Sequence, residues 1–296
     1  MVDRHDYVPQ SAQSEEALRL VCTEVWGGNR PIDTPIELPG VRGHIFSQPC
    51  AGGRGGDIHY LSVCSSGLIS RICLADVAGH GAAVATVSTE IHGLLSSHMN
   101  WFDQRTVLKK LNRRLMEIGL DALTTAAIAT YFPPWHRLSI SYAGHPPAWF
   151  YSHAVARWQP LPTEHPQRGL ADLPLAADGT TRFTRKTVKV QHGDRLLLVT
   201  DGVLEAHGPD RVHFGSDRLE QLLNENASTD PHKLVNGIVA AVRQHARDEN
   251  LAHDDVSLLV TEFVPGPPGP TLWQIVKNRT LRPRGNSHDP RFAPQP

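Results

Sequence analysis

Two aspartates lie at the ends of neighbouring apolar runs. Asp57 follows Gly55-Gly56 and precedes the run 58–64, whereas Asp76 follows the run 68–75. A Ser-Ser-Gly turn signal separates the runs, so the pattern predicts a hairpin in which the start of the first strand lies beside the end of the second. Two adjacent buried carboxylates repel each other unless a cation lies between them. The pair is therefore a candidate site for hard divalent cations, which prefer oxygen ligands.

Two later segments also place acids at strand ends. Asp201 follows the apolar run 195–200, which predicts a central strand, and precedes a glycine. Asp254 and Asp255 precede the apolar run 256–260. An isolated Asp-Gly pair is more often an ordinary turn, so Asp201 gains weight only beside the other acids. Paired acids at the start of a buried strand are costly unless they are coordinated or solvated. The sequence thus offers carboxylates from four distant segments.

Three further side chains have two interpretations each. Arg54, the cation of the glycine-rich loop before Asp57, reaches a bound phosphate or is a solvated loop residue. His80, in a Gly-His-Gly turn before a predicted helix, contacts an anion at the helix N-terminus or caps the turn. His145 precedes two prolines, a context that favours a fixed structural turn over a general base.

Composition limits the class of protein. The 296 residues, 40% hydrophobic and 20% charged, suffice for one large domain or two small ones. The net charge of −1 gives no reason to expect a nucleic acid or an anionic membrane as a partner. The four cysteines lack the Cys-x-x-Cys spacing of many zinc sites. The N-terminus lacks an apolar signal-peptide core, and no apolar run reaches the roughly 18 residues of a membrane helix, so a cytoplasmic protein with reduced thiols is expected.

The sequence around these residues predicts a mixture of strands and helices. Apolar spacing on one face predicts helices at 82–97, 104–118, 216–223 and 231–248. Short apolar runs predict strands at 44–47, 123–132, 137–142, 148–152 and 183–190, and the stretch 153–180 predicts a long loop. Residues 1–43 are expected to be a lead-in segment packed on the main domain, or else a partner-binding arm. Residues 263–296, rich in proline and basic side chains, are expected to be a largely disordered tail.

Five motifs occur in order along the chain. They are Gly55-Gly56-Asp57, Asp76-Val77-Ala78-Gly79-His80-Gly81, Ala143-Gly144-His145-Pro146-Pro147, Thr200-Asp201-Gly202-Val203-Leu204-Glu205 and Asp254-Asp255-Val256-Ser257. Together they resemble the motifs of PPM-type (protein phosphatase 2C-like) metal-dependent protein phosphatases, specifically the bacterial SpoIIE/RsbU branch. The resemblance spans residues 44–262, which would form the phosphatase domain. Each motif alone is weak evidence, whereas five in order at domain-scale spacing are specific.

The resemblance implies an α+β fold, a four-layer α/β/β/α sandwich of two antiparallel sheets flanked by helices. It also implies two divalent cations, Mg²⁺ or Mn²⁺, because oxygen-rich sites favour these over zinc. The implied ligands are Asp57, Asp76, the Val77 backbone carbonyl, Asp201 and Asp254, with Asp255 as an outer-shell candidate. The four aspartates would act through a metal-activated water that attacks the phosphorus of phosphoserine or phosphothreonine in line. The sequence assigns no general acid.

The resemblance also suggests a partner. In relatives of this branch the phosphorylated substrate is often a STAS-domain anti-sigma antagonist in a partner-switching circuit. Two other functions stay open: a phosphatase-fold binding module without turnover, which the retention of all four aspartates counts against, and a hydrolase of a small phosphorylated molecule. The sequence departs from the branch at Ile58-His59-Tyr60, where aromatics and a second acid are common. This departure affects secondary contacts and leaves the implied ligands intact.

Overall fold

The computed structural model describes residues 17–20, 24–50, 53–64, 66–78, 82–98, 100–101, 103–119, 122–163, 170–227 and 229–266. Among the predicted site residues, His80 lies outside these ranges. Of the predicted tail, 263–296, residues 267–296 also lie outside them. Within the described ranges, no helix combines the length and apolar character needed to cross a lipid bilayer.

The helices and strands follow the sequence pattern closely. In chain order the strands are β1 (Leu18–Arg19), β2 (Glu24–Gly28), β3 (Ile32–Leu38), β4 (Val41–Gln48), β5 (Asp57–Val63), β6 (Ser70–Val77), β7 (Thr124–Phe132), β8 (Arg137–Ala143), β9 (Ala148–Ser152), β10 (Arg157–Leu161), β11 (Lys186–Lys189), β12 (Arg195–Val199) and β13 (Val256–Phe263). The helices are α1 (Ala82–Ser97), α2 (Gln104–Ile118), α3 (Asp201–Leu204), α4 (Gly215–Glu225) and α5 (Pro231–Ala246). The first two long helices begin and end where the apolar spacing predicts.

The strands form two sheets. The six-stranded sheet has the order β11-β8-β7-β6-β5-β2, and the seven-stranded sheet has the order β1-β3-β4-β13-β12-β9-β10. Neighbouring strands are antiparallel, except that β1 runs parallel to β3. This is the arrangement expected of an α+β protein built from hairpins.

Apolar side chains hold the layers together in the predicted order. The core between the sheets includes Leu61 and Leu74 from one sheet and Ile45 and Leu259 from the other. A second apolar cluster joins α1 and α2 to the outer face of the six-stranded sheet. A third joins α4 and α5 to the outer face of the seven-stranded sheet. The four-layer α/β/β/α sandwich is therefore confirmed.

A buried arginine ties the α1–α2 connection to the six-stranded sheet. Arg71 of β6 donates to the hydroxyl of Thr130 at 3.2 Å, to the carbonyl of His98 at 3.2 Å and to the carbonyl of Trp101. Burial lowers the pKa of Arg71 to about 10, so the guanidinium stays protonated at neutral pH. Because a buried cation must be hydrogen-bonded to be tolerated, these three acceptors fix the position of the connection.

Two parts of the sheets differ from the sequence expectation. Strand β10 lies inside the stretch 153–180, which was expected to be a loop, and it forms one edge of the seven-stranded sheet. Pro160 counted against a strand in the sequence, because proline is tolerated in strands mainly at a sheet edge, and β10 lies at such an edge. Strands β2 and β3 come from residues 1–43 and are hydrogen-bonded to β5 and β4 respectively. The expected first strand at 44–47 is thus preceded by other strands of the same sheets.

Candidate metal centre

The β5–β6 hairpin places Asp57 directly opposite Asp76, as the sequence predicts. Side chains alternate between the two faces of a strand. Asp57 therefore shares a face with Leu61, and Asp76 shares a face with Leu74, and both leucines belong to the core between the sheets. The two carboxylates point toward the space between the sheets at one end of the sandwich. Asp57 is buried and Asp76 is half-buried.

The acids that follow β12 and precede β13 reach the same end because these two strands are antiparallel neighbours. The Thr200 N–H donates to the Ser257 carbonyl at 2.9 Å, which places the end of β12 beside the start of β13. Asp201 is the first residue of α3, whereas the pattern suggested a simple turn. Gly202 is required there, because a Cβ at this position would lie 2.0 Å from the Asp255 carbonyl oxygen.

Electrostatics shows that the carboxylates from the separate segments interact. Burial, followed by repulsion from Asp201, Asp254, Asp255 and Glu205, raises the pKa of Asp76 to about 7. Glu205 is an additional acid that the sequence argument did not assign to the site. Its backbone N–H donates to the Asp201 carbonyl at 2.7 Å, so it lies one turn after Asp201 in the same motif.

Two other carboxyl groups of this cluster also have raised pKa values. Burial and then repulsion from Asp76 raise the pKa of Asp57 well above its usual value, although hydrogen bonding by Ser257 and Thr200 opposes the rise. Burial also raises the pKa of Asp254, with a further contribution from Asp201. Raised carboxyl pKa values in a cluster are typical of sites that a cation completes.

Asp254 and Asp255 have different surroundings. The Asp255 carboxylate accepts the backbone N–H groups of Cys50 at 2.8 Å, Gly56 at close range and Asp57 at 3.3 Å. These bonds hold the glycine-rich loop against the start of β13. Asp254 is exposed and accepts only the Asp255 N–H, at 2.8 Å, among the hydrogen bonds described for its side chain. Asp254 is thus freer to bind a ligand, whereas the Asp255 carboxylate is already hydrogen-bonded to the backbone of the loop.

Gly56 leaves room for the backbone carbonyl that was expected among the ligands. A Cβ at this position would lie 2.8 Å from the Val77 carbonyl oxygen and 3.4 Å from oxygens of both Asp76 and Asp255. The Val77 carbonyl and two carboxylates therefore surround a space that a side chain would fill. Close approach of backbone to a ligand is one of the main uses of glycine.

Three polar residues that sequence reasoning missed support the acids. The Thr200 hydroxyl donates to Asp57 Oδ2 at 2.8 Å, and the Ser257 N–H donates to that hydroxyl at 3.0 Å. The Asn29 side chain donates to the Gly55 carbonyl at 2.9 Å, and the Gly55 N–H donates to the Asn29 carbonyl at 3.0 Å. Thr200 and Ser257 belong to the quoted motifs, which is a usable signal. No local pattern links Asn29 to the site.

The remaining sequence candidates are placed less centrally. Arg54 lies exposed in the loop before Asp57, and His80 is outside the described ranges. His145 is buried, and its Nδ1 lies 2.9 Å from the Pro146 carbonyl. Burial lowers the pKa of His145 to about 4. A neutral ring bonded to its own turn fits a structural role.

The donor set suits a hard divalent cation. Among the described residues, no three His, Cys, Asp or Glu side chains converge closely enough to hold a metal ion as they lie. Mg²⁺ does not require such a cage, because it usually keeps several waters and binds through one or two carboxylates. The paired Asp57 and Asp76, the Val77 carbonyl beside Gly56 and the raised carboxyl pKa values fit that mode of binding.

Comparison with known proteins gives one family. The sequence model described as Stage II sporulation protein E (SpoIIE) matches residues 70–264, more than half of the chain. No curated protein sequence matches the chain.

Solved structures with the same fold are similar at low sequence identity. The RsbU and RsbW domains of a Mycobacterium tuberculosis protein superpose with a TM-score of 0.61 at 20% identity, covering 81% of this chain and 64% of that one. The SpoIIE phosphatase domain with a regulatory fragment from Bacillus subtilis gives 0.59 at 16% identity, covering 76% of this chain and 62% of that one. RsbX in complex with magnesium gives 0.56 at 14% identity, covering 78% and 99%. This chain therefore spans somewhat less than two thirds of the length of the first two. The family model shows that the chain belongs to the SpoIIE family, and the superpositions show that it has the fold of the PP2C phosphatase domain of SpoIIE.

Proposed function

We propose that the chain is a metal-dependent serine/threonine phosphoprotein phosphatase. The observation that carries the proposal is the convergence of acids from four distant segments at one end of the sandwich, with mutual repulsion that raises the pKa of Asp76 to about 7. Structural acids are rarely collected in this way, because the uncompensated cluster is unfavourable. A divalent cation compensates it. Membership of the SpoIIE family supports phosphoryl chemistry for such a site.

The proposed division of roles follows from the surroundings of each acid. Asp57, Asp76, Asp201, Asp254 and the Val77 carbonyl would hold two Mg²⁺ or Mn²⁺ ions. Bound there, the ions would supply an activated water and neutralise charge on the phosphoryl group. Asp255 would keep the glycine-rich loop in place through its three backbone hydrogen bonds.

The phosphoryl group itself needs a further contact. Arg54 lies exposed in the loop next to Asp57, so its guanidinium is the described cation best placed in sequence to meet a substrate phosphate. His80 belongs to the same proposal on its sequence position alone.

We place this activity in a cytoplasmic signalling circuit. The solved neighbours include RsbU and RsbW domains and a stressosome structure described as a modular system for secondary messenger signalling. Neighbours of this kind favour a phosphorylated protein as the substrate, and a STAS-domain anti-sigma antagonist is the specific candidate.

Hydrolysis assays with three kinds of substrate test the proposal. The chain is assayed with p-nitrophenyl phosphate, a panel of phosphoserine and phosphothreonine peptides and a panel of phosphorylated metabolites, in EDTA, Mg²⁺ or Mn²⁺. Asp201→Asn removes a proposed ligand, and Asp217→Asn, an exposed acid of α4, is the matched control. We expect metal-dependent turnover of phosphopeptides that only Asp201→Asn abolishes. Equal turnover in EDTA, or full activity of Asp201→Asn, would contradict the metal assignment, and a preference for metabolites would contradict the protein substrate.

A further inference from the structure

We infer that Thr200 is a positioning residue that fixes the Asp57 carboxylate for cation binding. The inference rests on the proposed function, since it assigns a role toward the same metal centre. Thr200 lies one residue after the end of β12, in the seven-stranded sheet, whereas Asp57 begins β5 in the six-stranded sheet. Its hydroxyl therefore links the two sheets at the site.

The geometry leaves the hydroxyl little freedom. Its oxygen lies 2.8 Å from Asp57 Oδ2 and accepts the Ser257 N–H at 3.0 Å. The only other acceptor described near it, the Ser257 carbonyl, is 3.3 Å away and already accepts the Thr200 N–H at 2.9 Å. A hydroxyl has one proton to donate, and the shorter contact with a carboxylate takes it. The donor thus points at Asp57.

Burial strengthens the hydrogen bond between Thr200 and Asp57. The exposed fractions of Thr200, Ser257 and Asp57 are 0%, 1% and 3%. Water therefore does not compete for the bond, and hydrogen bonds to a charged acceptor are stronger than neutral ones. The bond to Oδ2 therefore restrains the orientation of the Asp57 carboxylate.

Supporting groups of this kind control how tightly a metal is held. Loss of a group that orients a ligand typically weakens metal affinity about 10- to 100-fold. Valine has nearly the shape of threonine but no donor, so Thr200→Val removes the bond to Asp57 with little change in packing volume. Thr200→Ser keeps the hydroxyl. We therefore expect Thr200→Val to weaken cation binding and Thr200→Ser to preserve it.

The matched control is a threonine of the same sheet away from the site. Thr261 of β13 is also 0% exposed, and its hydroxyl donates to a backbone carbonyl, that of Leu196, at 3.4 Å. Thr261→Val makes the same chemical change without touching an acid. The general cost of losing a buried hydroxyl should appear in both valine variants, and Thr200→Val additionally leaves the Ser257 N–H without its acceptor.

Calorimetric titration with Mn²⁺ measures the effect directly, without relying on turnover. For Thr200→Val we expect a Kd about 10- to 100-fold higher than for the wild type, and for Thr200→Ser and Thr261→Val a Kd close to the wild-type value. Thermal unfolding in EDTA confirms that each variant is folded, and Thr200→Ala replaces the valine variant if that one does not fold. Wild-type Mn²⁺ affinity in Thr200→Val, or equal losses in the two valine variants, would overturn the inference alone. Tight Mn²⁺ binding by the wild type without phosphatase turnover would overturn the proposed function alone, and absence of Mn²⁺ binding by the wild type would overturn both.

Discussion

Replacing Asp76 with asparagine tests the electrostatic description of the site in the absence of metal. Asp76 stands opposite Asp57 and is repelled by the acids that follow β12 and precede β13. An asparagine has a similar shape but cannot ionise, so it removes one charge from the cluster. We expect the metal-free variant to be more stable than the wild type at high pH, although it loses a proposed ligand.

The size of the effect follows from the shifted pKa. Asp76 has a pKa raised from 3.8 to about 7 in the folded chain. The folded state therefore holds this proton more tightly than the unfolded state, and the stabilisation is lost as the pH rises toward 7. The loss runs at about 1.4 kcal/mol per pH unit between about pH 5 and the pKa near 7 and then levels off, so it amounts to about 3 kcal/mol by pH 8. The charge of Asp76 also raises the pKa of Asp57, so removing that charge also removes its repulsion of the Asp57 carboxylate.

Urea unfolding in EDTA at the two pH values measures this difference. The pKa values of buried His59 and His145 are lowered to about 4, so these residues lower the stability as the pH falls below 6.5. They are present in every variant, and their contribution cancels when variants are compared. We expect Asp76→Asn to gain about 3 kcal/mol on the wild type between the two conditions, whereas Asp217→Asn should follow the wild type. If the difference in unfolding free energy between Asp76→Asn and the wild type were the same at both pH values, the reasoning would be refuted.

Two further substitutions test contacts at the site and at the α1–α2 connection. Gly56→Ala should cost about 1–3 kcal/mol of unfolding free energy and weaken Mn²⁺ binding, because its Cβ would lie 2.8 Å from the Val77 carbonyl oxygen. The control Gly237→Ala changes a position in α5 with open space around it and should instead stabilise the chain by about 0.5–1 kcal/mol. If urea unfolding showed Gly237→Ala to be the less stable of the two variants, the close approach at Gly56 would be contradicted. Arg71→Met should cost about 3 kcal/mol, because it leaves a hydroxyl and two backbone carbonyls without their donor. A loss below about 1 kcal/mol would show that water replaces the guanidinium at the α1–α2 connection.

The central pair of the site could be predicted from sequence because its determinants are local. The apolar runs, the turn between them and the flanking glycines are sufficient to specify the register that sets Asp57 opposite Asp76. The helices α1 and α2 were predictable for the same reason, since apolar spacing and local caps decide where they lie. Asp103 caps the start of α2, and Gly119 ends it with a positive φ of 96°.

The parts that escaped prediction depend on distant partners. Strand β2 is held by pairing with β5, and its short Trp-Gly-Gly sequence carries little strand signal of its own. The bond from Asn29 to Gly55 depends on that pairing and is invisible locally. The contrast between Asp254 and Asp255 arises because only Asp255 meets the backbone of the glycine-rich loop. Adjacent acids look equivalent in sequence, and tertiary contacts separate them.

The metal-free site must be held in place by bonds that do not use the metal. The acids repel one another, so their clustering opposes folding, and the strands that carry them need other anchors. Asp255 is hydrogen-bonded to the glycine-rich loop, Thr200 links Asp57 to the other sheet, and Asn29, directly after β2, is hydrogen-bonded to Gly55. Each of these contacts joins an acid-bearing segment to a different part of the sandwich, whose core supplies the stability. The arrangement is that of a preorganised site, in which strain among the ligands is tolerated because the surrounding scaffold is stable without them.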